Sequence, residues 1–114
     1  MDEIKLLEKA VSLHLSGEAA ALATIISKKG SIPRNVGSKM IIFRDGQLIG
    51  TVGGGCGEGE VIEKAFDVMD TGIPKKHKVD LTKGLFYEDG GICGGIFEVF
   101  IEPINMKKDK NYTL

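Results

Sequence analysis

The sequence has 114 residues, which is enough for one domain with a single hydrophobic core. Its formal net charge of −1 argues against a nucleic-acid surface that works by neutralising phosphates. No run approaches the roughly 20 apolar residues of a membrane span, and the charged, amphipathic N-terminus lacks the pattern of a signal peptide. We therefore expect a cytoplasmic protein that binds neither nucleic acid nor membrane, with two free thiols rather than a disulfide.

The N-terminal segment, residues 2–16, predicts an amphipathic helix. Apolar residues recur there at steps of three and four, and Lys and Glu fill the remaining positions. Gly17 is placed to end the helix. The apolar residues that we expect to face the core are Ile4, Leu7, Val11 and Leu15.

Three strands are predicted in the next part of the chain. The apolar run 19–27 ends in β-branched residues, which is typical of a buried strand. Residues 28–38 predict a connecting turn. The segments 39–43 and 47–52 predict two further strands, and Asp45-Gly46 between them is a strong hairpin signal.

The second half of the chain predicts one helix and two strands. Residues 60–72 form a second amphipathic pattern, whose apolar face carries Val61, Ile62, Ala65, Phe66 and Met69. Residues 77–82 are consistent with a strand, and residues 84–95 form a loop with a cluster of glycines. Alternating residues predict a last strand over 96–104, which we expect Pro103 to end.

This order of elements, αβββαββ, predicts an α+β domain with a mainly antiparallel sheet and two helices packed on it. The domain is expected to span residues 1–104. Residues 105–114 are expected to form a polar C-terminal tail.

The most unusual stretch is GTVGGGCGEGE, residues 50–60, in which a cysteine lies among glycines. A helix is expected to begin near Gly57 or Glu58, which places Cys56 at a helix N-terminus, where the pKa of a thiol falls. The backbone N–H groups suited to holding an anion there belong to Gly54, Gly55 and Gly57. The alternative is a small buried cysteine in a tight turn, with Glu58 as ordinary helix support rather than an acid or base.

Two further stretches contain candidate site residues. Cys93 lies beside Gly94 and Gly95, again next to a predicted strand, although a buried cysteine beside a turn explains this stretch as well. Arg34 follows a proline in a glycine-bounded loop and suits bidentate recognition of phosphate or carboxylate, with Ser31 adding a hydroxyl. The alternative for Arg34 is a solvated side chain in a connecting loop.

Together these stretches resemble the XdhC/CoxI family, the accessory factors of xanthine dehydrogenase and related molybdenum hydroxylases. Four motifs occur in the family's order: a G-S-x-P-R loop at 30–34, the D-G hairpin, a G-G-C-x-E-G turn at 54–59 and a C-G-G-x-x-E-V strand at 93–99. The resemblance runs from about residue 10 to Pro103 and covers the N-terminal domain of the family.

The resemblance implies a protein that binds the molybdenum cofactor (molybdopterin) transiently and is not itself an enzyme. Family members promote exchange of an oxo for a sulfido ligand with a cysteine desulfurase and deliver the cofactor to the apo-hydroxylase. The family's cysteine in the G-G-C-x-E-G turn corresponds to Cys56, which is thereby the expected cofactor and metal ligand. A soft thiolate suits molybdenum, and glycine N–H groups with Arg34 suit the phosphate of the pterin.

Two departures from the family pattern bear on this expectation. The family usually has an apolar residue where this chain has Gly57, so the turn is expected to be looser. Typical members also continue into a Rossmann-like domain, whose contribution is then expected either to come from a separate Rossmann-domain protein or to be absent. A homodimer is a further expectation, because an exposed sheet edge often pairs with a second copy.

Two other functions remain open on the sequence. One is a thiol-dependent redox or sulfur-transfer enzyme that uses Cys56 with Cys93, although a CxxC motif and an obvious general base are lacking. The other is a ligand-free interaction subunit that docks on a hydroxylase or on a separate Rossmann-domain protein. Glycine-rich loops count against pure scaffolding, which has no need of them.

Overall fold

The computed structural model describes residues 3–32, 34–52, 57–82 and 94–105. These residues form two helices and five strands. In chain order the elements are α1 (Glu3–Ser16), β1 (Ala20–Lys29), β2 (Lys39–Phe43), β3 (Leu48–Gly50), α2 (Glu58–Thr71), β4 (Lys75–Asp80) and β5 (Ile96–Asn105). The order αβββαββ confirms the predicted α+β class, while β3 is shorter than its predicted segment and β4 begins two residues before its own.

The five strands form one antiparallel sheet in the order β3-β2-β1-β5-β4. The hairpin between β2 and β3 turns where the sequence predicts it: Gly46 has φ 91° and its N–H donates to the Phe43 carbonyl at 3.0 Å. The Asp45 carboxylate accepts the Gln47 N–H at 2.9 Å. A residue with a Cβ is strained at such a φ, so glycine fixes the turn.

Helix α2 covers one face of the sheet, and the larger of the two buried clusters lies between this helix and the strands. Its buried residues are Val61, Ala65, Val68 and Met69, and Ile62 and Phe66 pack half-buried against the same cluster. Phe97, Val99 and Ile101 of β5 face it, as the alternation of β5 predicts. The apolar face predicted for this helix is thus confirmed, with Val68 added to it. Gly72 ends α2 with φ 73°.

Helix α1 lies on the opposite face of the sheet, but the face predicted to be buried is wrong. Leu6 and Leu13 are the buried residues of α1, and they pack against Ala20 and Ile41. The residues predicted to face the core are exposed instead, at 71% for Ile4, 39% for Leu7, 58% for Val11 and 80% for Leu15. The helix carries two apolar faces on opposite sides, and periodicity does not tell which one meets the sheet.

Contacts distant in sequence decide how α1 is oriented. The Asn105 side chain donates to the Leu13 carbonyl and, at 2.9 Å, to the Glu18 carbonyl. The His14 imidazole is 3.1 Å from the Ile104 carbonyl. Both contacts tie the C-terminal end of α1 to the end of β5 and fix the rotation that turns Leu13 inward.

Pro103 does not end β5, contrary to the prediction, since the strand continues to Asn105. Two features of the pairing accommodate a residue without an N–H donor. The register with β1 shifts between Ala20 and Ala21, beside Pro103. On the other side, β4 pairs with β5 only as far as Ile101, so β5 is an unpaired edge where the proline lies.

Candidate functional site

One end of the sheet gathers the described parts of the segments that the sequence marks as functional. Register places the last residues of β1 and β4, Lys29 and Asp80, both opposite Ile96, the first residue of β5. At the same end, Met40 near the start of β2 pairs with Gly50 at the end of β3. The loop of Ser31 and Arg34, the start of α2 and the Gly94-Gly95 pair therefore adjoin this end.

Gly95 packs against the backbone at the end of β1. A Cβ built on Gly95 would lie 2.5 Å from the Lys29 carbonyl oxygen, and one on Gly30 would lie 3.1 Å from the Gly95 Cα. The Gly95 carbonyl accepts the Leu81 N–H at 2.9 Å. Close backbone packing thus accounts for Gly30 and Gly95, while Gly94 is exposed with open space where a Cβ would stand.

The start of α2 also depends on close approach. Gly57 is the N-cap with φ 76°, and a Cβ there would come 2.6 Å from Cγ1 of buried Val79. In this geometry the apolar residue that the family usually has at this position would force Val79 to shift, while the expected looser turn stays a prediction. The expected helix start at Gly57 or Glu58 is confirmed. The Glu58 carboxylate accepts a hydrogen bond from the Thr51 hydroxyl, which ties the helix start to the end of β3.

A cavity of about 490 Å³ lies beside the hydrogen bond between Thr51 and Glu58. Its walls come from the first turn of α1, the connection between β1 and β2, and the end of β3. The lining residues are Glu3, Leu6, Arg34, Val36, Gly37, Ser38, Lys39, Gly50 and Thr51. Of the predicted site residues that the structure describes, Arg34 is the one in the lining, and Ser31 lies exposed outside it.

The cavity contains an ion pair that the sequence does not reveal. The Lys39 ammonium donates to Oε1 of Glu3 at 3.0 Å and to the Gly37 carbonyl at 3.1 Å. Lys39 and Glu3 are 36 positions apart. Neither residue belongs to a motif, and only the placement of α1 across the start of β2 brings them together.

A second electrostatic feature lies on β5, where Glu98 accepts a hydrogen bond from the Ser27 hydroxyl at 2.8 Å. The Lys76 ammonium is 3.6 Å from the same carboxylate. The hydrogen bond from Ser27, and after it the charge of Lys76, lowers the pKa of Glu98 from its ordinary value of 4.5. These polar groups belong to the surface of the sheet and not to the cavity.

The two cysteines and their glycine neighbours Gly54 and Gly55 lie outside the described residues. The ligand role of Cys56 and its use together with Cys93 thus stay predictions. Within ranges 3–32, 34–52, 57–82 and 94–105, no cluster of three or more His, Cys, Asp or Glu is arranged to hold a metal. Neither α1 nor α2 is long and apolar enough to cross a membrane.

The family model described as XdhC and CoxI matches residues 13–80 of the sequence, more than half of the chain. The chain belongs to the XdhC and CoxI family. The match covers the loop of Arg34, the hairpin, the cysteine turn and all of α2. The resemblance drawn from the motifs is thereby confirmed.

Two relatives of this XdhC and CoxI family member have names that refer to xanthine dehydrogenase or to the molybdenum cofactor. The chain is 35% identical over 101 residues to a protein of Bacillus subtilis (strain 168) named as a probable component of xanthine dehydrogenase, covering 83% of this chain and 29% of that protein. It is 34% identical over 71 residues to the molybdenum cofactor insertion chaperone PaoD of Escherichia coli (strain K12), covering 62% of this chain and 22% of the chaperone.

A solved structure shares the fold. The crystal structure of a xanthine dehydrogenase from Bacillus halodurans is similar with a TM-score of 0.77 and 32% sequence identity, covering 94% of this chain and 32% of the other. The chain therefore spans less than a third of the length of each of these three proteins.

Proposed function

We propose that this protein binds the molybdenum cofactor and assists its insertion into a molybdenum hydroxylase of the xanthine dehydrogenase type. The observation that carries the proposal is the family match over residues 13–80. The 34% identity to a protein named as a molybdenum cofactor insertion chaperone supports the same function. In this proposal the chain is an accessory protein rather than the enzyme that turns over substrate.

The described residues fit one part of the cofactor, a pterin that bears a dithiolene and a phosphate. The cavity presents a guanidinium from Arg34, an ammonium from Lys39 and the hydroxyl of Ser38, whereas the Thr51 hydroxyl donates to Glu58. This set of donors is suited to a phosphate group. A volume of about 490 Å³ also lies within the range of ligand pockets, roughly 300–1,000 Å³.

The metal end of the cofactor is assigned to Cys56 as a thiolate ligand, on the family motif. When bound, the cofactor supplies the molybdenum centre on which the hydroxylase depends. This chain would contribute the binding groups: Arg34 orients the phosphate, and Cys56 supplies a soft sulfur ligand. A transient complex, sulfuration with a cysteine desulfurase and a separate Rossmann-domain partner belong to the same proposal.

Purification from cells that make the molybdenum cofactor tests the proposal directly. Molybdenum is measured by mass spectrometry, and the pterin is measured by fluorescence after oxidation and release. We expect both to copurify with the protein and to be lost in Cys56→Ser, because the hydroxyl stays protonated at neutral pH and is a hard, weak ligand. Cys93→Ser, the same chemical change at the other cysteine, controls for removal of a thiol.

Three results would contradict the proposal in different ways. Full retention of metal and pterin by Cys56→Ser would remove Cys56 as the ligand. A parent protein that carries no cofactor but binds an apo-hydroxylase would support the alternative of a ligand-free interaction protein. Catalytic turnover of a sulfur donor or disulfide, dependent on both cysteines, would support the sulfur-transfer enzyme.

A further inference from the structure

The cavity at the end of the sheet contains a partly buried cation whose carboxylate partner is exposed. The Lys39 side chain is 20% exposed, whereas that of Glu3 is 62% exposed. We propose that this cavity is a binding site for a phosphate group, in which Lys39 exchanges the Glu3 carboxylate for the phosphate of the ligand. This inference deepens the proposed function and rests on it for the identity of the ligand, the pterin phosphate.

The position of Lys39 is fixed by the sheet. It is the first residue of β2 and pairs with Thr24 of β1. Its ammonium also donates to the carbonyl of Gly37, two residues earlier, which holds the charged end at the cavity wall. A cation that is largely withdrawn from water is costly without an anionic partner. Lys39 therefore needs an anion at this place, whether it comes from the chain or from a ligand.

Glu3 is suited to be the partner that leaves. It is the first residue of α1, where the helix dipole stabilises a carboxylate even without a lysine. Its side chain is mostly in water, so release to solvent carries a small desolvation change. The ion pair thus neutralises Lys39 in the absence of ligand and opens at low cost when another anion arrives.

The remainder of the cavity favours phosphate over a carboxylate. Arg34 adds a second cation, and Ser38 adds a hydroxyl group, whereas the Thr51 hydroxyl donates to Glu58. Among the lining residues in the described part of the chain, Glu3 is the one carboxylate. A phosphate, with two charges and several acceptor oxygens, can bind Lys39 and Arg34 together when Glu3 is displaced. The volume of about 490 Å³ leaves room for an organic group beyond the phosphate.

The test titrates the protein with inorganic phosphate at constant ionic strength and follows ³¹P line broadening, with sodium acetate as the control anion. Lys39→Met keeps the length of the side chain and removes the charge, and we expect it to weaken phosphate binding about ten-fold or more. Glu3→Gln removes the competing carboxylate, and we expect it to strengthen binding about five-fold. Thermal unfolding verifies that each variant is folded.

Two matched variants control for general charge effects. Lys28→Met removes a cation that lies near the same end of the sheet but does not line the cavity. The Lys28 ammonium donates a hydrogen bond to the Asn35 side-chain oxygen at 3.1 Å. Glu8→Gln removes an α1 carboxylate that does not line the cavity. We expect each control to change phosphate affinity less than about two-fold. Equal effects at Lys28 and Lys39, or weaker binding in Glu3→Gln, would overturn the exchange.

A parallel measurement separates this inference from the proposed function. Pterin retention is measured in Lys39→Met purified from cofactor-producing cells. Loss of pterin together with loss of phosphate binding supports the pterin phosphate as the source of the anion. Phosphate binding with the expected variant pattern, in a parent protein that carries no pterin, supports the site and contradicts the function. Pterin carried equally by parent and Lys39→Met, with no phosphate binding by either, overturns the site and leaves the function intact.

Discussion

Replacement of Gly57 by alanine is expected to destabilise the fold by about 1–4.6 kcal/mol, from strain and overpacking together. The left-handed φ of 76° costs a residue with a Cβ about 1–2 kcal/mol. The new methyl group would stand 2.6 Å from Val79 Cγ1 and 3.6 Å from Phe97 Cζ, and both side chains are fully buried. Overpacking of this kind costs about 1–3 kcal/mol. Alanine also lowers the conformational entropy of the unfolded chain relative to glycine, which offsets about 0.4–1 kcal/mol of the combined cost of strain and overpacking.

Two other glycines isolate the separate contributions. Gly46 has φ 91° but open space where a Cβ would stand, so Gly46→Ala carries the backbone strain alone. Gly59 lies in the first turn of α2 with open space and without a positive φ. We expect Gly59→Ala to stabilise the protein by up to about 1 kcal/mol through helix propensity.

Urea unfolding followed by circular dichroism measures all three variants. The expected order of stability is Gly59→Ala above the parent, Gly46→Ala below it and Gly57→Ala lowest. A cost at Gly57 no greater than that at Gly46 would refute the packing argument. A cost of zero at both positions would refute the argument from backbone strain as well.

Two further predictions concern α1 and the surface of the sheet. Leu13→Ala should cost about 2–4 kcal/mol because Leu13 is 4% exposed, whereas Leu15→Ala should cost less than about 0.5 kcal/mol because Leu15 is 80% exposed; equal costs in urea unfolding would contradict the assignment of the two faces. Because the pKa of Glu98 is lowered in the fold, its ionised form contributes stability above pH 4.5, and that contribution is lost as the pH falls through the lower folded pKa. Ser27→Ala should raise the pKa of Glu98 and move this loss to higher pH, and an unchanged Glu98 titration by NMR would show that the Ser27 hydrogen bond is not the main cause.

The sequence by itself determined the kinds of elements and their order, because these depend on local patterns. Period-3.6 and period-2 repeats are complete within single segments, so both helices and the five strands follow from them. The hairpin at Asp45-Gly46 follows from the conformational preferences of two neighbouring residues. The ordered motifs likewise identified the family without any coordinates.

The tertiary structure alone decided the features that join distant parts of the chain. Contacts with the end of β5 determine which apolar face of α1 packs on the sheet. Because β4 does not pair with β5 beyond Ile101, β5 can continue through Pro103 to Asn105. Val79 packs so closely against the start of α2 that it leaves no room for a Cβ at position 57. The pairing of Lys39 with Glu3 in one cavity depends on the docking of α1 beside β2. A pattern within one segment records how that segment is amphipathic, but the neighbour that covers each face is a property of the whole fold.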